Sequence, residues 1–413
     1  MSQKYPGGLI TKTPVVPGGP FQDGAASGIW TVDQAMQYTK QGIWPTAGLQ
    51  RPFDETRIFI PFISTTYTFN PYLYNWTTNA MTALTSQSNF YPAGSENVNV
   101  VIDPNRNIYA FGSSANTGSS YKNMMYLAAG STSPSYYLVD PIAYPTYGSY
   151  FSQITWNPTQ NLVQCATHPY FTQDAPAYTM TFNSTGSATT YAGGSSPSGF
   201  SNPGMALLTT KNTAGSVTYG SYIVASGDSN YDASNSYIWS DASPWTTPAW
   251  TQSSQITSNP SRSWVIGLPS AKALVVCFGS TFVYVPASNT FTNVTTALDN
   301  AGGVSEAINL GLAGMWEDAF CCYTYNAIKV VKGDPSGTIS WCTSLTSFFS
   351  GRSIYMAWGV GTTLYVLSTD SPIGSWYITK FEFTTAGVAT RTDRTLPSIS
   401  GGRIPSVTGL QYF

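Results

Sequence analysis

From residue 98 the chain runs through the apolar stretch Val98–Ile102, the polar turn Asp103-Pro104-Asn105-Arg106-Asn107, and a second apolar stretch, Ile108–Gly112. This unit of two strands around a turn recurs along the body, and it constrains the fold more than any other feature. Further copies are Phe151–Trp156 with Leu162–Cys165, Trp264–Gly267 with Ala273–Cys277, and Met205–Leu208 with Ser221–Ala225. Weaker ones are Ala319–Cys322 with Ile328–Val331, and Ile354–Trp358 with Leu364–Leu367. Their near-continuous apolarity is that of strands buried on both faces. More polar pairs follow several of them: Met124–Ala128 with Tyr136–Val139, Tyr178–Phe182 with Ala188–Tyr191, and Tyr377–Phe383 with Val388–Arg391. The last alternates apolar and polar, as a strand with one wet face does.

Four strands repeated at this spacing match the blades of a β-propeller, which run to about 40–55 residues each. The expectation is an all-β fold: a propeller of six or seven blades over residues 51–413. Arg57–Ile63 and Tyr67–Phe69 would meet the closing strand Val407–Phe413 in a seventh blade, removing the exposed edges of an open ring. The competing architecture is two β-sandwich domains divided near Ser253–Pro260.

The first 50 residues read differently, as an extended arm with one short helix at about residues 32–41. Thr31 and Gln34 have capping-box spacing, in which each side chain satisfies the other's free backbone donor. Gly42 and Pro45 stop the helix. It is too short to be stable alone, so it needs a surface to lie on, either the chain's own body or another protein. The run Ala26-Ser27-Gly28-Ile29-Trp30-Thr31-Val32-Asp33-Gln34, followed by Trp44-Pro45 and preceded by Tyr5–Lys12, resembles an N-terminal module of structural proteins from marine tailed bacteriophages of the cyanophage and pelagiphage type. There the order is roughly ASG-[VI]-W-T-[LV]-[DS]-Q, a linker, then WP. The resemblance implies a virion component whose arm, through Trp30, Thr31, Gln34 and Trp44, anchors it to capsid, neck or tail proteins, in several copies per particle. It leaves the body unexplained.

Composition narrows the function of that body. Charged residues make up 9% of the chain and aromatic residues 15%, with a net charge of −2. Such a chain has aromatics enough for a core and no field to steer nucleic acid. Residues 1–20 contain no apolar leader core, and no stretch has the length of a membrane span, so neither secretion nor membrane insertion is expected. The five cysteines are odd in number and lack C-x-x-C spacing, so they read as buried small hydrophobes. Synthesis in a bacterial cytoplasm and residence on a virion fit these features, and Asn75, Asn183 and Asn293 would then carry no glycan.

No motif announces catalysis, a metal or a cofactor. His168 is the one histidine and reads as a turn residue beside Pro169. The acidic pairs Asp54-Glu55 and Glu317-Asp318 are neighbours along a strand, which sends their side chains to opposite faces. Asp228–Asp232 lacks the glycine and distal glutamate of a calcium loop. Aromatics on expected loops (Tyr147, Trp245, Trp250 and Trp376) are the candidate contacts for host surface glycans or protein partners. The functional expectation is a non-enzymatic virion protein, exposing its body as decoration or adhesion module. The alternatives are an intra-virion scaffold and a glycosidase or lyase, which would need two convergent carboxylates.

Overall fold

The computed structural model describes residues 54–64, 68–90, 97–103, 105–112, 122–139, 149–157, 162–169, 178–185, 188–191, 200–211, 217–228, 235–240, 250–253, 263–268, 272–277, 280–288, 290–294, 306–309, 319–323, 327–334, 336–360, 362–370, 374–397, 402–404 and 406–412, with Lys4, Tyr5, Gly8, Leu9, Asp33, Met36 and Gln37 before them. The chain divides into two compact units, Met1–Phe53 and Asp54–Phe413. In the first, Lys4–Tyr5 pairs antiparallel with Gly8–Leu9. Asp33, Met36 and Gln37 have helical backbone, and Met36 is 52% exposed.

The second unit is all-β, its sheets arranged as a β-propeller. Sheet A comprises Asn97–Ile102, Ile108–Gly112, Met124–Leu127 and Ser135–Tyr137. Sheet B comprises Ser149–Asn157, Leu162–Pro169, Tyr178–Phe182 and Ala188–Tyr191. Sheet C runs from Phe200–Lys211 through Val217–Asp228 and Asn235–Ser240 to Trp250–Ser253. Sheet D is built from Ser263–Leu268, Lys272–Cys277, Ser280–Val285 and Thr290–Asn293. Sheet E follows with Glu306–Asn309, Ala319–Tyr323, Ile328–Gly333 and Ile339–Ser344. Sheet F holds Ser353–Val360, Thr363–Thr369, Trp376–Phe383 and Ala389–Thr395. Within each, consecutive strands pair antiparallel in a simple meander.

The first strands of these sheets follow one another around a ring. Asn97–Ile102 lies beside Ser149–Asn157, and the neighbours then run in order through sheets C, D and E to Ser353–Val360. Ser406–Tyr412 lies beside Ser353–Val360 and pairs parallel with Asn97–Ile102, with Ser406 opposite Asn97 and Tyr412 opposite Ile102. This corrects the expected partner: the closing strand joins sheet A, whereas the start of the body meets Gly402–Arg403 instead, through Ile63–Ser64. A further correction concerns sheet E. The hairpin read as its inner pair is its middle pair, because Glu306–Asn309, too polar to stand out, takes the innermost place.

The core lies between successive sheets. Tyr109, Phe111 and Met124 of sheet A pack on Ile154, Trp156 and Val163 of sheet B. Leu274 and Val283 of sheet D meet Val331 of sheet E. Cys321, Ile328 and Val330 of sheet E meet Leu364, Val366 and Phe381 of sheet F. Sheet E is also pinned to the last turn of sheet F. Trp341 stacks on Phe383 at 5.9 Å and donates to the Thr385 carbonyl at 3.1 Å. Gly387, at φ +79°, lies so close that a Cβ there would fall 2.5 Å from Trp341 Cδ2.

Residues 54–90 form a smaller sheet, Ile58–Ile60, Tyr72–Asn75 and Ala80–Ala83, at the seam where sheet F meets sheet A. Arg57 donates to the Ser131 carbonyl beside sheet A at 2.6 Å, and Tyr136 donates to the Thr85 carbonyl at 2.6 Å. Phe90 stacks on Phe69 at 4.3 Å, meets Tyr136 edge-on at 6.0 Å, and bridges Lys122 through the backbone.

Deleting residues 406–413 strips sheet A of its parallel partner and reopens the ring. The expected product aggregates and elutes in the void volume on size exclusion; a monodisperse, cooperatively melting product would contradict the closure described here.

Candidate functional site

Of the contact residues expected from sequence, Trp30, Thr31, Gln34, Trp44, Tyr147 and Trp245 lie outside the described residues, as do Glu317 and Asp318. Trp250 is not on a loop: it opens the last strand of sheet C, opposite Ile238. Trp376 likewise begins a strand of sheet F and is 4% exposed, its ring edge-on to Tyr355 at 5.1 Å. It is a core residue, recruited because the ladder opposite Thr369 continues one turn further than its Gly-Ser approach suggested. His168 also sits in a strand, opposite Tyr150.

A polar constellation forms where Glu55 and Trp76 meet sheet F. Asp54 folds the approach, its carboxylate accepting from the Thr56 amide at 2.9 Å and hydroxyl at 2.6 Å. The turn delivers Glu55, whose Oε1 accepts from the Tyr365 hydroxyl and from Lys380 Nζ at 2.7 Å. Glu382 Oε1 approaches the same ammonium at 3.3 Å. The ladder pairs Tyr365 with Lys380 and Trp358 with Tyr365, so all three share one face of sheet F. Trp358 stacks on Tyr365 at 5.3 Å, nearly parallel. Trp76 lies edge-on to Tyr365 at 6.0 Å, with Arg394 at 5.2 Å and Lys380 at 6.0 Å from its ring centroid. Cations over an indole face gain from the ring quadrupole.

Burial alone would raise the Glu55 carboxyl. Hydrogen bonds from Lys380 and Tyr365, and the charges of Lys380 and Arg394, outweigh it and hold the carboxyl below the ordinary value of 4.5. Burial works against the Lys380 ammonium too, and Glu55 and Glu382 overcome it and raise its pKa. Nearby Tyr74 is pushed up to about 12, by burial against a lowering pull from Arg394. A general acid needs a carboxyl held up near neutrality, and Glu55 is held down. Glu55 and Glu382 thus converge on one lysine, two carboxylates sharing a single ammonium.

Asp103 is the buried carboxylate whose pKa rises, by desolvation against opposing hydrogen bonds. It is 1% exposed and accepts from the Asn107 amide at 2.8 Å and its side-chain nitrogen at 2.7 Å, which closes the turn of sheet A. Its geometry is that of a turn lock. Among the described residues no group of three His, Cys, Asp or Glu could hold a metal ion, and no helix is long and apolar enough to cross a membrane.

The sequence reading missed Trp76, Tyr365, Lys380 and Arg394. Lys380 and Glu382 looked like the wet side of an alternating strand; Glu382 is indeed exposed, but Glu55 and Trp76 lie against Lys380. One signal was available: in a chain so poor in charge, Lys380, Glu382, Arg391, Asp393 and Arg394 fall within one hairpin.

No family model matches the chain, and no curated protein does. Solved structures similar to it include the mitotic checkpoint complex, at 10% identity over 76% of this chain and 81% of that one, with a TM-score of 0.41. Prolyl endopeptidase is similar at 10% identity, over 72% of this chain and 42% of that one, with a TM-score of 0.40. The dihydro-heme d1 dehydrogenase NirN in complex with DHE is similar at 8% identity, over 86% and 76%, with a TM-score of 0.43. This chain therefore spans less than half the length of the endopeptidase. Likenesses this distant carry no functional argument.

A carboxyl that titrates lower when folded contributes stability above the unfolded value, and that contribution is lost as pH falls through the folded value. Glu55→Gln should therefore cost about 1 kcal/mol at pH 7, allowing for the partial exposure of the pair. The gap in Tm between wild type and variant should narrow as pH falls below the ordinary carboxyl value of 4.5; a gap that stays constant with pH would refute the role given to the carboxylate.

Proposed function

We propose that the chain is a non-enzymatic structural component of a tailed-phage virion, joined to capsid, neck or tail proteins through residues 1–50 and presenting its β-body as a decoration or host-adhesion module. The observation that carries this reading is the N-terminal module, in which Gly28, Trp30, Thr31, Gln34, Trp44 and Pro45 recur in the register of such virion proteins. The division of the chain at Phe53 and Asp54 supports it, since the whole module then belongs to a unit other than the propeller. Trp30 and Trp44 act as buried anchors in the partner, in keeping with the weight of large aromatics in interface energy. The arm seats several copies on a particle assembled after cytoplasmic synthesis. The weakly charged body takes hydrogen-bonding, uncharged partners such as surface glycans.

The order of neighbouring inner strands supports six full blades, with residues 54–90 as an incomplete seventh sector. The short, largely uncharged outer strands Ser135–Tyr137, Ala188–Tyr191 and Thr290–Asn293 suit a body displayed in several copies without steering charged partners.

Trp30→Ala should lower incorporation into particles at least tenfold while leaving the melting of the body unchanged. Quantitative blotting of purified particles beside a thermal melt of the free protein checks both halves. Unchanged incorporation would refute the anchor, and a collapsed melt would show that the arm belongs to the core.

A further inference from the structure

We infer that residues 54–90 are a releasable clasp, and that the propeller opens at one place, between this clasp and sheet F. The two sides of the clasp are held by different means. Toward sheet A it is tied by the Arg57 bond to Ser131, the Tyr136 bond to Thr85, the Phe90–Lys122 bridge and the edge contact of Phe90 with Tyr136. Ile63–Ser64 also pairs with Gly402–Arg403, and the strand that follows is itself bonded to sheet A. Toward sheet F the clasp is held by the Glu55 cluster and by Trp76 against Tyr365, Lys380 and Arg394. The interface between sheets E and F, by contrast, is an aliphatic and aromatic core.

Sheet F also carries unmet polar groups. Six buried side-chain nitrogen or oxygen atoms lack a hydrogen-bond partner among the described residues, and five fall within residues 352–394: Arg352 Nη1, Trp358 Nε1, Ser368 Oγ, Arg391 Nε and Arg394 Nε. Trp358 and Arg394 lie in the cluster under the clasp. Such groups favour a state in which water reaches them. A face closed by a screened ion pair over unmet donors is therefore the face that separates first, and local opening of this kind is how folded proteins divide into units of unequal stability. The inference stands on the seam geometry alone and does not depend on what the arm binds.

Hydrogen exchange of the full chain read by mass spectrometry tests it. In Glu55→Gln, amides of 72–76 and 364–382 should exchange about tenfold faster, the effect of losing one charge-assisted bond, with those of 264–285 in sheet D unchanged. Equal acceleration around the ring, or none at the seam, would overturn it. If the variant does not fold, the wild-type chain in 1 M salt gives the same reading, because salt screens the Glu55–Lys380 pair and leaves the sheet D core untouched. Faster seam exchange at constant sheet D exchange is expected there, and a uniform response would overturn the inference.

Discussion

The structure depends on a parallel pairing between strands from opposite ends of the body, Ser406–Tyr412 and Asn97–Ile102. Every other strand pair within sheets A to F joins neighbours in sequence, which hairpins achieve at little entropic cost. The closing pair spans some three hundred residues, so its loop-closure cost is the largest of any pair in these sheets. Without it the innermost edge of sheet A would offer unpaired backbone to any other chain. The packing between sheets follows from the same closure, since each sheet is buried on both faces only when it has a neighbour on both sides.

Residues 54–64 and 68–90 stand at the seam of sheets F and A with a three-stranded sheet in place of a four-stranded one. This explains why the chain spends so many of its few charges there. An aliphatic interface needs two matched sheet faces, and a three-stranded sheet cannot cover the whole of sheet F. The remaining face is covered by Glu55, Trp76 and the stems of Lys380 and Arg394, long side chains that pack along their length and carry their charge to the rim. Individually such contacts are weak, and their value at this position is that they are reversible.

Much of this architecture is legible in the residues themselves. Continuous apolar runs such as Ile108–Gly112, short and bounded by turns, read as strands buried on two sides, and the turn between Ile102 and Ile108 carries its own chemistry in the Asp103 carboxylate that accepts from Asn107. The illegible parts have physical reasons. Glu306–Asn309 has polar residues at both ends of only four, so periodicity does not mark it. The partner of Ser406–Tyr412 could not be chosen, because a parallel strand on either side would have satisfied the same backbone groups. Trp376 looked like a loop aromatic because Gly374 and Ser375 precede it, but the ladder continues to Thr369. The Glu55 cluster was invisible because its members are hundreds of residues apart and its lysine imitates a solvent-facing residue.

The virion role proposed above gives the propeller body a defined place to be found. Antibody-gold labelling of intact particles from the source culture, with serum raised against residues 54–413, reads that place directly. The account predicts gold on particles, at tail tips or fibres for adhesion and over heads for decoration. Particles that stay unlabelled while the free protein in the same preparation is recognised would contradict it.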